Sequence, residues 1–230
     1  MRLIQLAALA AAAVLSIAAK APAPTAPHGN WLKAIAVTPA GAHQLGNPAA
    51  PVKIVEYISY TCPHCADFQQ QSDAPLRLAY IQPGKVQIEV RHLVRDPIDM
   101  TVAMLTNCGA PSRFFVNHNL FLRTQDRWIG RANDANAAQR ARWTTGDNAS
   151  RLRAIASDFG FYAMMEQLGY DRPTVNRCLA DTAMEKRLVA QTTEAGKLGV
   201  EGTPGFLLNG LLLAGTYDWP SLATQIQARF

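Results

Sequence analysis

Two cysteines three residues apart, set where a strand-like stretch gives way to a helix-like one, constrain this chain more than any other feature. Ile54-Val55-Glu56-Tyr57-Ile58-Ser59-Tyr60 is rich in β-branched and aromatic residues, and it leads through Thr61 into Cys62-Pro63-His64-Cys65. Pro63 suits the first turn of a helix, where its missing N–H would have no intrahelical partner in any case. The spacing therefore predicts Cys62 at a helix N-terminus, where free N–H groups favour a negative sulfur, and Cys65 one turn further in. Thiols so placed can close a small redox-active disulfide. Half of a zinc site is the competing reading, but zinc takes four ligands, and Cys108 and Cys178 are isolated from each other and from any histidine pair. No metal and no bound cofactor are expected.

The chain starts with a short basic segment, Met1-Arg2, followed by residues 3–17, which are apolar except for Gln5 and Ser16. Small residues then run through Ala18, so residues 1–18 are expected to be a secretory signal peptide cleaved near Ala18. The apolar run falls short of the roughly 20 residues of a membrane span, and Pro22 and Pro24 would break a helix continuing past it. Export in a two-membrane bacterium leads to the periplasm, where disulfides persist. The formal charge of +5 loses only Arg2 with the signal, leaving +4, a mild surplus that excludes the basic stripe of a nucleic-acid binder. The remaining 212 residues (230 less 18) suffice for one well-buried domain carrying an insertion.

Residues 31–37 alternate well enough for a strand, and a second short strand is expected before Asn47-Pro48. After the active-site strand, a helix is expected over 63–81, kinked near Pro75 and stopped by Pro83-Gly84. Residues 85–93 alternate apolar and polar side chains, a third strand signal. Beyond Arg95-Asp96-Pro97 the pattern is helical for about ninety residues, with helices expected over 97–108, 111–124, 148–159, 161–168, 173–179 and 181–198. Arg127, Arg131, Arg140, Arg142, Arg151 and Arg153 fall among few apolar residues and read as a solvated face. Asn209-Gly210 between two apolar runs supplies the positive φ angles of a tight hairpin turn, and a last helix closes the chain from residue 218 or 219. Cys108 and Cys178, both on predicted helices of an exported chain, are expected to pair in a structural disulfide; two separate buried thiols are the alternative. Closing a loop of 70 residues (178 less 108) would contribute roughly 4 kcal/mol.

The strand carrying Glu56, Cys62-Pro63-His64-Cys65, the helical middle, and Gly202-Thr203-Pro204 before a hairpin together resemble the bacterial disulfide oxidoreductases of the DsbA type, from about Asn47 to the C-terminus. The resemblance implies an α/β thioredoxin fold with a large helical domain inserted between a strand-helix-strand half and a C-terminal strand-strand-helix half. The expected divisions are a signal peptide at 1–18, a tail and first strand region at 19–46, the first half of the fold at 47–95, the helical insertion at 96–184 and the second half at 185–230. It also implies a cis peptide bond before Pro204, a loop there facing Cys62, substrate contacts at Thr203 and Pro204, and a buried acid at Glu56 that could accept a proton from Cys65. The implied partners are reduced or unfolded exported polypeptides and a membrane-bound, quinone-linked reoxidant of the DsbB type, with no nucleic acid, and the protein is expected to be a monomer.

In disulfide exchange a substrate thiolate attacks one sulfur, here Cys62 as the more exposed one, and a low pKa makes that sulfur a good leaving group. A helix terminus supplies about 0.3–2 kcal/mol and one pKa unit takes roughly 1.4 kcal/mol, so the dipole alone moves Cys62 by about one unit. His64 is expected to add positive charge or a hydrogen bond. An oxidase is the expected function. An isomerase or reductase is the alternative, because in related families a threonine before the cis-proline often accompanies isomerases. A redox-inactive peptide-binding chaperone is the second alternative, disfavoured by the presence of both cysteines and Pro204.

Overall fold

The computed structural model describes residues 29–230. The expected signal peptide and its cleavage site lie outside the described residues. Six strands, β1 (Ile35–Val37), β2 (His43–Gly46), β3 (Val52–Ile58), β4 (Val86–His92), β5 (Gly205–Leu208) and β6 (Leu211–Leu212), form one sheet in the order β1-β2-β4-β3-β5-β6. Only β3 and β4 pair in parallel, and that pairing needs a crossover. The crossover is α1 (Pro63–Pro75), which continues as a π-helical segment, Leu76–Ile81, where Pro75 interrupts the regular ladder.

The central pair is covered on both sides. Ile54 and Ile58 of β3, with Ile88 and Val90 of β4, share one face and join a core with Phe68 of α1 and with Leu222 and Ile226 of α11 (Trp219–Gln227). Tyr57, on the opposite face, clusters with Leu207, Val200 and Ala195, the last on α10 (Thr182–Lys197). The polar residues that alternate along β4 are consequently buried rather than solvated. Glu89 accepts hydrogen bonds from Gln44 Nε2 at 2.7 Å and Arg91 Nε at 2.6 Å, and Gln87 Oε1 accepts one from Lys53 Nζ at 3.0 Å, which satisfies them inside the sheet.

Between β4 and β5 run α2 (Pro97–Thr106), α3 (Phe114–Arg123), α4 (Gln125–Trp128), α5 (Arg131–Asp134), α6 (Ala137–Thr144), α7 (Asn148–Asp158), α8 (Phe161–Gln167), α9 (Arg172–Cys178) and then α10. Phe121, Trp128, Phe159 and Phe161 build the centre of this helical part, with ring centroids 5.2–6.3 Å apart. Three of these four contacts are edge-to-face, an arrangement that adds about 0.5–1.5 kcal/mol each beyond the area buried. Cys108, just past α2, and Cys178, the last residue of α9, are joined by a disulfide with a Cα–Cα distance of 5.5 Å.

Three local features depart from the sequence pattern. Residues 31–37 are not one strand: Trp31–Lys33 is a 3-10 turn and only Ile35–Val37 pairs, because the Trp31 indole lies across Gly84 instead of alternating along an edge. Residues 125–144 hold three short helices that the sequence pattern did not assign, anchored by the buried Trp128 and Trp143, while the arginines there stay exposed, as a solvated face requires. The expected division between residues 184 and 185 falls inside the first turn of α10, which starts at Thr182 and packs on both α2 and β4. The C-terminal hairpin follows its sequence signal, with φ of 50° at Asn209 and 84° at Gly210.

Candidate active site

Strand β3 ends at Ile58, and the chain crosses Ser59, Tyr60 and Thr61 before Cys62 takes the N-cap position of α1 with Pro63 as its first helical residue. This crossing loop is held from three sides. Asp96 caps α2 by accepting from the backbone N–H groups of Ile98 and Asp99, and it also accepts from the Thr61 hydroxyl at 2.7 Å. Asp99, buried, accepts from the Ser59 hydroxyl at 2.6 Å and from the Tyr60 N–H at 2.7 Å. From the helical part, the buried Gln125 amide donates to the carbonyls of Tyr60 at 2.6 Å and Cys62 at 2.9 Å. A loop pinned by two carboxylates and an amide presents its cysteine in one geometry.

Both active-site thiols are free, so the site is in its reduced form. Cys62 is the more exposed sulfur of the pair, as the sequence suggested, but by a small margin: it is 3% exposed, against 0% for Cys65. The loop before β5 covers it: the Thr203-Pro204 peptide bond is cis, and Thr203 O accepts a hydrogen bond from Cys62 Sγ at 3.1 Å. Pro63 and His64 lie exposed on the first turn of α1.

The pKa values of the two sulfurs are driven in opposite directions. The hydrogen bond from Cys65 does most to lower Cys62, to a pKa of about 5. Burial opposes it, and the Thr203 side chain, the Cys65 N–H and the Arg95 guanidinium add to the lowering. Thr203 Oγ1 is buried and makes no hydrogen bond while Cys62 is a thiol, which leaves it available to donate to a thiolate. Burial, together with the neighbouring Cys62 sulfur, holds Cys65 well above the ordinary thiol range. His64 was expected to add positive charge or a hydrogen bond to this site; the groups that lead in lowering Cys62 are Cys65, Thr203 and Arg95.

Glu56 lies on β3 beneath Cys65, whose pKa its charge helps to raise. It is 2% exposed, its Oε1 has no hydrogen-bond partner, and burial pushes its carboxyl up to about 8. At neutral pH it is a carboxylic acid. With Gln69, Ser72, Asp73 and Arg77 it lines a cavity of about 20 Å³, room for one water. Beside it Tyr60 OH is 3.0 Å from His118 Nδ1, and His118 Nε2 is 3.2 Å from Gln69 Oε1. His118 and His92, read as core or surface residues, are both core.

Cys62, Cys65, Thr203, Pro204 and Glu56 thus converge, whereas Cys108 and Cys178 pair away from them, within the helical part. Gln125, Arg95 and Asp99 were not read from the sequence as site residues. Asp96-Pro97 carried a readable cap signal for α2, but nothing local says that this helix start abuts the Cys62 loop.

A family model described as Thioredoxin matches residues 38–228, nearly all of the described chain. The chain belongs to the thioredoxin family. Within the family, a solved protein-disulfide isomerase from Novosphingobium aromaticivorans shares 55% identity with it, over 82% of this chain and 97% of that one, with a TM-score of 0.79. Alpha-DsbA1 of Wolbachia pipientis, 22% identical over 84% of this chain and 92% of its own, superposes with a TM-score of 0.65 and shares the fold. A Rickettsia felis protein, whose name assigns it provisionally to the protein-disulfide oxidoreductases, is 30% identical over 79% of this chain. The chain spans 58% of the length of that relative.

Proposed function

We propose that the protein is a thiol:disulfide oxidoreductase working as an oxidase, which gives its Cys62–Cys65 disulfide to exported polypeptides in the periplasm. A substrate thiolate attacks Cys62 Sγ, the Cys62–Cys65 bond breaks as a mixed disulfide forms, and Cys65 leaves with the electron pair. Cys65, held above the ordinary thiol range by burial, takes a proton, which the buried acid of Glu56, protonated at neutral pH, can supply. The part of proton acceptor that the sequence offered as one possibility for Glu56 then belongs to the reverse direction, when Cys65 is reoxidised. A second substrate thiolate then attacks the substrate sulfur of the mixed disulfide, the substrate disulfide closes, and Cys62 leaves as a thiolate. Two electrons pass from substrate to enzyme.

The observation that carries this reading is the placement of Cys62 at the N-cap of α1 beside the buried Cys65, which lowers its pKa to about 5. A stabilised thiolate leaves readily and favours the reduced enzyme, so the disulfide is readily given up. Reoxidation falls to a membrane-bound, quinone-linked partner of the DsbB type, and the protein acts as a monomer. An isomerase is the second reading, favoured by Thr203 before Pro204 and by the name of the 55% identical relative. Refolding of a reduced two-disulfide substrate, run beside the same substrate with scrambled disulfides, separates the two: an oxidase accelerates the first more, an isomerase the second.

A further inference from the structure

Arg95 sits between the end of β4 and the cap of α2, and its side chain turns back onto the loop before Cys62. Nε donates to Ser59 Oγ at 3.0 Å and Nη2 to Thr61 Oγ1 at 3.4 Å, while its own N–H donates to Asp99 Oδ2 at 3.0 Å. Ser59 is itself fixed by Asp99 at 2.6 Å. Among the described residues no carboxylate lies within ion-pairing distance of the guanidinium. Asp96 is engaged by the α2 cap and Thr61, and Asp99, raised to about 7 by burial, carries only part of a charge at neutral pH. Glu56 below the site is neutral there as well. The exposed guanidinium forms no ion pair, and its two hydrogen bonds hold its charge against the loop that carries Cys62.

We infer that Arg95 is a positioning residue for disulfide exchange, clamped by Ser59 and Thr61 so that its charge favours the thiolate of Cys62. That placement agrees with the direction in which the Arg95 charge acts on Cys62, lowering it after the larger effects of Cys65 and Thr203. A lysine tethered on a flexible stem would supply the charge with less constraint, and an uncharged donor would keep the clamp without the charge. The inference rests on Cys62 being the exchanging sulfur, but not on whether the protein oxidises or isomerises.

The test is the thiolate absorbance of Cys62 titrated in wild type, Arg95→Gln and Arg95→Lys, together with the glutathione equilibrium of each at pH 7. Arg95→Gln keeps a donor for the hydroxyls and removes the charge, so the midpoint is expected to rise by about half a unit to one unit. At pH 7, well above that midpoint, the equilibrium then moves about three- to tenfold toward the disulfide form. Arg95→Lys is expected to restore most of the wild-type midpoint. An unchanged midpoint in Arg95→Gln overturns the inference, as does a lysine variant shifted as far as the glutamine one. If Arg95→Gln fails to fold, the wild-type midpoint in low salt and in 1 M salt decides, since screening at about 3 Å must raise it; no movement overturns the inference. These midpoints are read without any substrate, so they stand or fall apart from the oxidase reading.

Discussion

Replacing Glu56 by glutamine is expected to stabilise the protein, and to do so in a pH-dependent way. Its carboxyl is raised by burial from an ordinary 4.5 to about 8. A raised acid holds its proton in the folded chain while the unfolded chain gives it up. The stability is thus full below about pH 4.5 and is lost as pH rises toward 8. Each unit of difference corresponds to about 1.4 kcal/mol. At pH 7 the gap is 7 less 4.5, or 2.5 units, so Glu56 costs at most about 3 kcal/mol there, rising to about 4 kcal/mol at pH 8, where half of the folded chains are already ionised. Glutamine has the shape and neutrality of the protonated acid, so Glu56→Gln removes this loss without opening a hole. Urea unfolding of the oxidised wild type and variant at pH 4.5, 6, 7 and 8 measures it. The gain should be near zero at pH 4.5 and grow steadily; an equal difference at every pH would refute the reasoning.

The oxidised protein, in which Cys62 does not titrate, is expected to have a stability maximum near pH 6.5. His43, His92 and His118 are buried neutral, with pKa values lowered by burial to about 4, 4 and 3, so their contribution is present above 6.5 and is lost as pH falls through that window. Glu56 and Asp99, raised to about 8 and 7, work in the opposite direction, leaving a net uptake of about one proton on unfolding below pH 6.5. His118→Gln should flatten that acid limb, and an unchanged slope of unfolding free energy against pH would contradict it. Converting Cys108 and Cys178 together to alanine should lower the unfolding free energy by roughly 4 kcal/mol, with the Cys62 titration unmoved; a loss well under 1 kcal/mol in urea unfolding would show that the closed loop of 70 residues matters little.

Much of this was legible because the signals were local. A β-branched run into Cys-Pro-His-Cys fixes a strand, a helix start and two thiols on one turn, and Asn209-Gly210 dictates a hairpin whatever surrounds it. The short helices α4–α6 were missed because their apolar content is thin, although Asn136 and Gln139 form a capping box that marks the start of α6. What was not legible is what tertiary packing brings together. Arg95 lies 33 residues beyond Cys62 (95 less 62) and reaches its loop only because α2 starts against it, while His64, adjacent in sequence, points to solvent. The burial of Cys62 has the same origin: the cover comes from Thr203, 141 residues away.

The direct measurement is the equilibrium of the Cys62–Cys65 couple with glutathione buffers of known ratio, with the Cys62 thiolate titrated on the same sample. A thiolate held at a midpoint of about 5 requires a couple more oxidising than thioredoxin, whose potential is about −270 mV. A potential at or below that value, with Cys62 titrating in the ordinary thiol range of about 8.5, would contradict the oxidase reading at its root.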